Sequence, residues 1–353
     1  MKKVFMKGNE AIAEAAVRAG CRFYAGYPIT PQNEIPEYMS RRLPEVGGHF
    51  VQGESEIASI NMVYGAAATG TRAMTSSSSP GISLKTEGIS YLAGAELPAV
   101  IVNVTRGGPG LGSIQVAQMD YLQATKAAGH GGFKMIVFAP STVQEAVDLT
   151  YKAFDCAEKY QAPMMVCADG CIGAMMEPVV LPEMREAKRA DLHFYASQLI
   201  NPKRKIVSSL LNPEENQETF NKMKAAMYEE WEKNEVMVEK YMVEDAEIVI
   251  GAYGVSARIA KTAIKELRKE GIKVGLIRPI TISPFPYTSF DRLDYNKVRN
   301  ILCVEMSIPA QLIEDLKIGV ANRAKITTLL HSGGIIFTAE EVADAVKKIA
   351  GKE

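Results

Sequence analysis

Ala99-Val-Ile-Val-Asn-Val104 is an almost unbroken apolar run rich in β-branched residues. A strand apolar on both of its faces belongs to a sheet covered on both sides. Outward from this run, helix-type and strand-type segments alternate up to about residue 185. Asn9–Arg18 is Ala-rich and reads as a helix stopped by Gly20. Arg22–Ala25 reads as a short strand that feeds Gly26-Tyr-Pro-Ile-Thr-Pro31, followed by a helix through Met39. Gly48–Val51 is the next strand, and Ile57–Gly70 an apolar helix that reads as buried on every side. Arg72–Thr75 is a strand that breaks into Ser76-Ser-Ser-Ser-Pro-Gly81. Lys134–Phe138, a helix from Ser141 and Pro163–Cys167 continue the series. Repeated β-α-β units with short connections predict an α/β fold with a doubly wound parallel sheet.

The stretch 186–243 breaks this rhythm with Lys203-Arg-Lys205, Glu229-Glu-Trp-Glu-Lys233 and one long amphipathic helix from Asn212, and it reads as a helical connector. A second α/β pattern follows over 244–353. In it Ile248–Gly254 leads into a helix near Ser256, Val274–Ile277 is a strand closed by the breaker Arg278-Pro279, Ile301–Val304 is another strand, and helices begin near Ala310 and Ala339. The expected domains are therefore 1–185, 186–243 and 244–353. The chain has 353 residues, more than one core usually serves, since single cores stop growing near ~250–300 residues.

With 47% hydrophobic and 23% charged residues and a formal net charge of −1, the composition is that of an ordinary globular protein and offers no basic tract for nucleic acid. Pro98–Asn103 and Ile248–Ile250 are far shorter than the ~20 residues of a membrane span. Met1-Lys-Lys-Val-Phe-Met-Lys7 lacks the apolar core of a signal peptide, so a cytoplasmic location is expected. The five cysteines, Cys21, Cys156, Cys167, Cys171 and Cys303, are odd in number and scattered, which is no disulfide framework. An iron–sulfur cluster takes about four thiolates, and none is expected on this chain. His49, His130, His193 and His331 have no partner at metal-ligand spacing, so no metal site is expected here either.

In open parallel sheets ligands gather at the carboxyl ends of strands. There the sequence puts Thr30, Glu54 and Glu56, the serine string, and Arg106 within Thr105-Arg-Gly-Gly-Pro-Gly-Leu-Gly112. Val51-Gln-Gly-Glu-Ser-Glu56 heads a helix with little polar beyond Ser59, Asn61 and Tyr64, so at least one glutamate is expected in a dry place, where a carboxyl suits acid–base work. The plainer reading is a carboxylate that favours the helix N-terminus by about 0.3–1 kcal/mol. Arg106 beside Gly107 and Gly108 could grip a carboxylate or phosphate. Ser113 spoils a dinucleotide fingerprint, and neither a P-loop nor a nucleophile elbow is present. The serine string and Gly251-Ala-Tyr-Gly254 could each hold an anion or be ordinary turns.

Taken together, Gly26–Pro31, Glu54-Ser-Glu56, Thr75–Gly81 and Thr105–Gly112 resemble the alpha subunit of 2-oxoacid:ferredoxin oxidoreductases, and Ile248–Gly254, Arg278-Pro279 and Val304-Glu-Met306 extend the likeness over the whole chain. Gly108–Gln115 and Gly129-His-Gly-Gly132 look closest to the branched-chain group, which acts on 2-oxoisovalerate. The resemblance implies a thiamine-diphosphate pyrimidine-binding fold with a second domain of transketolase C-terminal type. It implies that Glu56 hydrogen-bonds a nitrogen of the aminopyrimidine ring and shares a proton with it, and that Pro28, Ile29 and Ser78 also line the cofactor. It implies that Thr30 and Arg106 bind the 2-oxoacid, Arg106 through its carboxylate, with Gln118 and Asp120 in the same pocket.

The Gly-Asp-Gly that opens the diphosphate–magnesium motif of thiamine enzymes is absent, since Ala168 precedes Asp169-Gly170. The resemblance therefore places Mg2+ and the diphosphate on a beta subunit, with the cofactor bridging two chains. It places 4Fe–4S clusters on further gamma and ferredoxin-like delta subunits, coenzyme A as co-substrate, and ferredoxin as electron acceptor. Alternatives are the same reaction on 2-oxoglutarate, pyruvate or an arylpyruvate, a non-oxidative thiamine enzyme half, or a non-catalytic scaffold.

Overall fold

A computed structural model describes residues 3–186 and 207–351. His193 and Lys203-Arg-Lys205 lie outside the described residues. The main sheet has the strand order Thr281–Ser283, Val137–Phe138, Pro163–Asp169, Ala99–Gly107, Ala73–Ser77, Phe23–Gly26, His49–Gln52, with Ser113–Val116 paired to Ala99–Gly107 off this path. Its central pairings are parallel, and all nine residues of Ala99–Gly107 are buried. Alternate side chains of that strand feed two cores. Val100, Val102 and Val104 join Ile12, Met39 and Phe154 on one face, while Ala99 and Ile101 join Ile60, Ile89 and Leu92 on the other. That is the physical content of the apolar run.

The second sheet has the order Val238–Tyr241, Val274–Pro279, Ile248–Gly251, Asn300–Glu305, Lys325–Leu330. Helices Gly254–Lys269 and Ala339–Ala350 cover one face through Ile264, Val342 and Val346, and Leu312–Val320 packs with Phe290 on the other.

Several expectations change. The helix expected through Met39 runs over Glu34–Glu45. From Asn212 the expected long helix is present as Glu214–Asn234, but the supposed connector then gives the edge strand Val238–Tyr241, antiparallel to Val274–Pro279. Arg278-Pro279 is therefore no breaker: Pro279 opposes Val238 at the end of an edge pairing, and Arg278 is buried. The helix headed by Glu56 spans Glu56–Ala67 and buries only Glu56, Ser59, Ile60, Val63 and Ala67. Ile57 is 49% and Met62 37% exposed. The missing polar stripe thus reflects an apolar face turned outward, not burial all round.

The two halves interlock. Thr281–Ser283, from the second half, closes the first sheet antiparallel to Val137–Phe138. Across the seam Val255 N–H donates to Asp169 Oδ2 (2.8 Å), and Tyr121 Oη donates to Asp315 Oδ2 (2.6 Å).

In the second half Glu305, fully buried, ends its strand and accepts from the N–H groups of Gln311 (2.7 Å) and Leu312 (3.0 Å), capping Leu312–Val320. Burial pushes its carboxyl up to about 8 against those two hydrogen bonds. A group with a raised folded-state value contributes stability at low pH and loses it as pH rises through that value. Glu305→Gln should therefore gain urea-midpoint stability relative to the parent as pH climbs from the ordinary 4.5 to about 8. A midpoint difference that stays flat over this window would contradict the assignment.

Candidate active site

The site lies where four parallel strands of the main sheet end. Ser55 caps the helix Glu56–Ala67, its Oγ accepting from Ala58 N–H at 3.1 Å, so Glu56 is the first helical residue. Glu56 is only 7% exposed, whereas Glu54 faces solvent. Opposite Glu56, the serine string turns through Ser79, at φ 24°, into a helix the sequence rhythm did not reveal, Pro80–Gly94. A Cβ added to Gly81 would overlap Ser77 Oγ and sit 2.8 Å from Glu56 Oε1, so only glycine lets the carboxylate lie against this first turn.

The serine string is stitched to the central strand. Ser79 N–H donates to Asn103 Oδ1 (3.1 Å), and Ser79 Oγ accepts from Arg106 N–H (2.9 Å). Arg106 is 5% exposed and donates through Nη1 to the Thr30 carbonyl oxygen (2.8 Å) and through Nη2 to that of Leu111 (3.2 Å). Asp120 accepts from Asn103 Nδ2 (2.9 Å). Burial pushes the Asp120 carboxyl up, while hydrogen bonds from Ser79 and Asn103 and the charge of Arg106 pull the other way. The loop holding Pro28, Ile29 and Thr30 is tied in by a relay: Tyr24 Oη pairs with Ser76 Oγ (2.6 Å), Ser76 Oγ bonds Gln32 Oε1, and Gln32 Nε2 reaches the Tyr27 carbonyl at 3.4 Å. Pro28 and Thr30 are exposed at its rim and Ile29 is half-buried.

Thr30, Ser78, Arg106 and Asp120 are thus brought together, and the serine string connects them to Glu56. Gln118 is placed elsewhere. Its Nε2 donates to the Tyr253 carbonyl (2.9 Å), and its Oε1 accepts from Ser256 Oγ (2.8 Å) and Met306 N–H (3.1 Å). It is 1% exposed, and its amide is occupied in the seam between the halves. Asn103, Ser79 and Gly81 were not singled out from the sequence. The signal was present in the serine string, whose neighbour in space is the one asparagine in the apolar central strand.

Three buried polar atoms here have no partner among the described residues: Ser77 Oγ, Ser78 Oγ and Arg106 Nε. Buried donors and acceptors seldom stay unpaired, so their arrangement beside Glu56 and the side-chain-free Gly81 suits a flat polar heterocycle and an anion. These residues fit the aminopyrimidine end of thiamine diphosphate. Among the described residues no set of three or more His, Cys, Asp and Glu side chains could hold a metal ion, and no helix is long and apolar enough to cross a membrane.

A parallel sheet with a buried glutamate opening a helix at its carboxyl edge, followed by a smaller α/β half, defines the class of thiamine-diphosphate-type folds. The chain belongs to the pyruvate flavodoxin/ferredoxin oxidoreductase family, matching its thiamine-diphosphate-binding domain over residues 14–242 and core domain II of pyruvate:ferredoxin oxidoreductase over residues 246–342. It is 47% identical, over 100% of this chain and 99% of the relative, to a ketoisovalerate oxidoreductase subunit VorB from Methanothermobacter marburgensis. It is 37% identical to a 2-oxoglutarate synthase subunit KorA from Methanocaldococcus jannaschii, over 98% of this chain and 100% of the relative. Among solved structures, a 2-oxoglutarate:ferredoxin oxidoreductase from Magnetococcus marinus, with 2-oxoglutarate, coenzyme A and succinyl-CoA bound, superposes with a TM-score of 0.88 at 27% identity; 98% of this chain is covered, and it spans 65% of that longer chain. A split-gene transketolase shares the fold, with a TM-score of 0.60 at 14% identity over 97% of each chain. The polypeptide is accordingly a subunit of a 2-oxoacid:ferredoxin oxidoreductase.

Gly81→Ala tests the close approach at the site. The added methyl should destabilise the fold by about 1–3 kcal/mol and weaken thiamine diphosphate binding by the assembled enzyme. Unfolding midpoints and cofactor titration measure the two effects, and an unchanged titration would show that Gly81 does not border the cofactor.

Proposed function

We propose that this chain is the alpha subunit of an enzyme that oxidatively decarboxylates a branched-chain 2-oxoacid, 2-oxoisovalerate, to its acyl-coenzyme A with reduction of ferredoxin. The observation that carries the reading is the joint placement of a buried carboxylate, Glu56, and a buried guanidinium, Arg106, on two ends of one serine-lined turn. The preference for a branched-chain acid is supported by the higher full-length identity to the ketoisovalerate subunit, 47% against 37% for the 2-oxoglutarate subunit.

Thiamine diphosphate, when bound, supplies the electron sink for loss of carbon dioxide. Glu56 holds a proton in common with a pyrimidine nitrogen. Ser78, Pro28 and Ile29 border the ring. Arg106 offers its unpaired Nε to the substrate carboxylate, Thr30 stands at the rim, and Asp120 orients the turn through Asn103. Mg2+ and the diphosphate belong to a beta subunit, in keeping with the missing Gly-Asp-Gly. The outward apolar side chains Ile57, Met62, Leu84 and Tyr91 offer that subunit a docking face. Gamma and delta subunits with 4Fe–4S clusters carry electrons to ferredoxin in the cytoplasm.

The test is the complex reassembled with its partner subunits and assayed with coenzyme A and a dye acceptor against 2-oxoisovalerate, 2-oxoglutarate, pyruvate and an arylpyruvate. The highest kcat/KM should fall on 2-oxoisovalerate. A preference for 2-oxoglutarate would move the substrate assignment to the second relative, and absence of thiamine diphosphate binding would leave only a scaffold.

A further inference from the structure

We propose that Gln311, in the second half of the chain, is a positioning residue for the 2-oxoacid site: its side-chain amide takes over the helix cap that Asp120 would otherwise make, and so frees the Asp120 carboxylate to hold the turn beside Arg106. This rests on the reading of Arg106 and Asp120 given above.

Asp120 stands immediately before the helix Tyr121–Lys126. An aspartate in that place ordinarily accepts from the N–H of the second or third helical residue. Asp120 makes no such bond. The N–H of Leu122, the second helical residue, donates instead to Gln311 Oε1 at 2.9 Å. Gln311 Nε2 donates to the Met119 carbonyl oxygen at 2.6 Å, so one amide holds the backbone on both sides of Asp120. Released from capping, the Asp120 carboxylate turns back into the first half and accepts from Asn103 Nδ2. Asn103 Oδ1 takes the Ser79 N–H, and Ser79 Oγ takes the Arg106 N–H. The path from Gln311 to Arg106 is thus built of hydrogen bonds and short stretches of backbone.

Gln311 is itself set for this reach. It precedes the helix Leu312–Val320, yet its side chain makes no cap there either. Glu305 does so in its place, accepting from the N–H groups of Gln311 and Leu312. Gln311 Nε2 also donates to the buried Ser307 Oγ at 3.1 Å, which fixes the direction of the amide. The neighbours of Asp120 are drawn the same way. Gln118 bonds Tyr253, Ser256 and Met306, and Tyr121 bonds Asp315. Between Gln118 and Leu122, Asp120 is the residue whose side chain bonds the first half.

Without the Gln311 amide, the Leu122 N–H lacks its acceptor, and a buried N–H seldom stays unpaired. The ordinary acceptor at that position is the Asp120 carboxylate. Its return to the cap abandons Asn103 and slackens the Ser79 turn that carries Arg106.

The experiment is steady-state kinetics of the assembled complex with 2-oxoisovalerate, at saturating thiamine diphosphate and coenzyme A, beside thermal midpoints. Gln311→Met keeps the length of the side chain and removes the amide. Its KM should rise about tenfold or more, within the ~10²-fold that a small misplacement can cost, with kcat little changed, the sign of lost substrate binding. Gln311→Glu keeps an acceptor for Leu122, so Asp120 stays free and KM should remain near the parent's. A merely structural role predicts the reverse order, because the glutamate brings an unpaired charge into the seam. In an Asp120→Ala background, itself raised in KM, Gln311→Met should add nothing, since no carboxylate is left to misplace.

A parental KM in Gln311→Met, an equal rise in Gln311→Glu, or a full further rise in the Asp120→Ala background overturns the inference. Should Gln311→Met not assemble, Gln311→Glu decides: a KM near the parent's supports the inference and a tenfold rise defeats it. An unaltered KM in Arg106→Lys would instead defeat the reading of the site on which the inference rests.

Discussion

Glu56→Gln is expected to lower kcat of the assembled enzyme by about 10²–10⁴-fold, the usual contribution of a positioned acid–base group, while leaving the thermal midpoint near that of the parent. The amide matches the carboxylate in size, and helix start is secured by Ser55, not by Glu56. What is lost is the ability to hold a proton in common with a ring nitrogen, because an amide neither gives nor takes one at neutral pH. Glu54→Gln is the internal control: two residues away but exposed, it should change turnover little. Steady-state assays with saturating cofactor separate the outcomes. Comparable losses in both variants, or near-parental activity in Glu56→Gln, would place the essential group elsewhere.

Arg278→Ala should produce the largest loss of stability, about 3–5 kcal/mol, the range for breaking a buried ion pair and stranding its partners. The guanidinium side chain is 3% exposed and donates through Nη1 (2.9 Å) and Nη2 (2.6 Å) to Glu145 and through Nε (2.7 Å) to Glu239. Glu145 lies in the first half of the chain and Arg278 in the second, so the cluster clasps the halves together. Burial pushes the Glu145 carboxyl up, but the hydrogen bonds and charge of Arg278 outweigh it and hold the group below its usual range. A depressed carboxyl contributes stability above its ordinary value and loses it as pH falls. The parent should therefore weaken on acidification more steeply than Arg278→Ala. Urea unfolding at neutral and acid pH tests both statements, and a loss under about 1 kcal/mol, typical of a surface pair, would refute the clasp.

Much of the fold was legible because it rests on local patterning. The run Ala99–Val104 announced a sheet covered twice, and short β-α-β spacing announced its parallel winding. Features missed were those decided at long range. Val238–Tyr241 alternates as Val-Glu-Lys-Tyr and is a strand only because Val274–Pro279 lies beside it. Pro80–Gly94 hides its helix behind a proline and three glycines, and those at 81 and 88 are there for contact with the neighbouring helix rather than for propensity. The helix after Glu56 looked wholly buried because composition cannot tell a core from a face that awaits another chain.

The site divides in the same way. Glu56, Thr30 and Arg106 stand at strand ends, where a sequence reader searches first, whereas Asp120, just before the helix Tyr121–Lys126, was pointed to only by the family resemblance. Gln118 is two residues from Asp120, yet its amide turns to Tyr253, Ser256 and Met306, and no spacing rule foretells which side of a seam a side chain takes.

The crossed edge strands have a practical consequence. The family boundary falls between residues 242 and 246, at the exposed pair Glu244-Asp245, where a protease would find an open turn. A fragment cut there would keep Val238–Tyr241 but lose the sheet it borders, and would surrender Thr281–Ser283, which closes its own. A nicked chain should consequently co-elute as one particle, while either piece expressed by itself should fail to refold: the two halves of this polypeptide are not interchangeable building blocks.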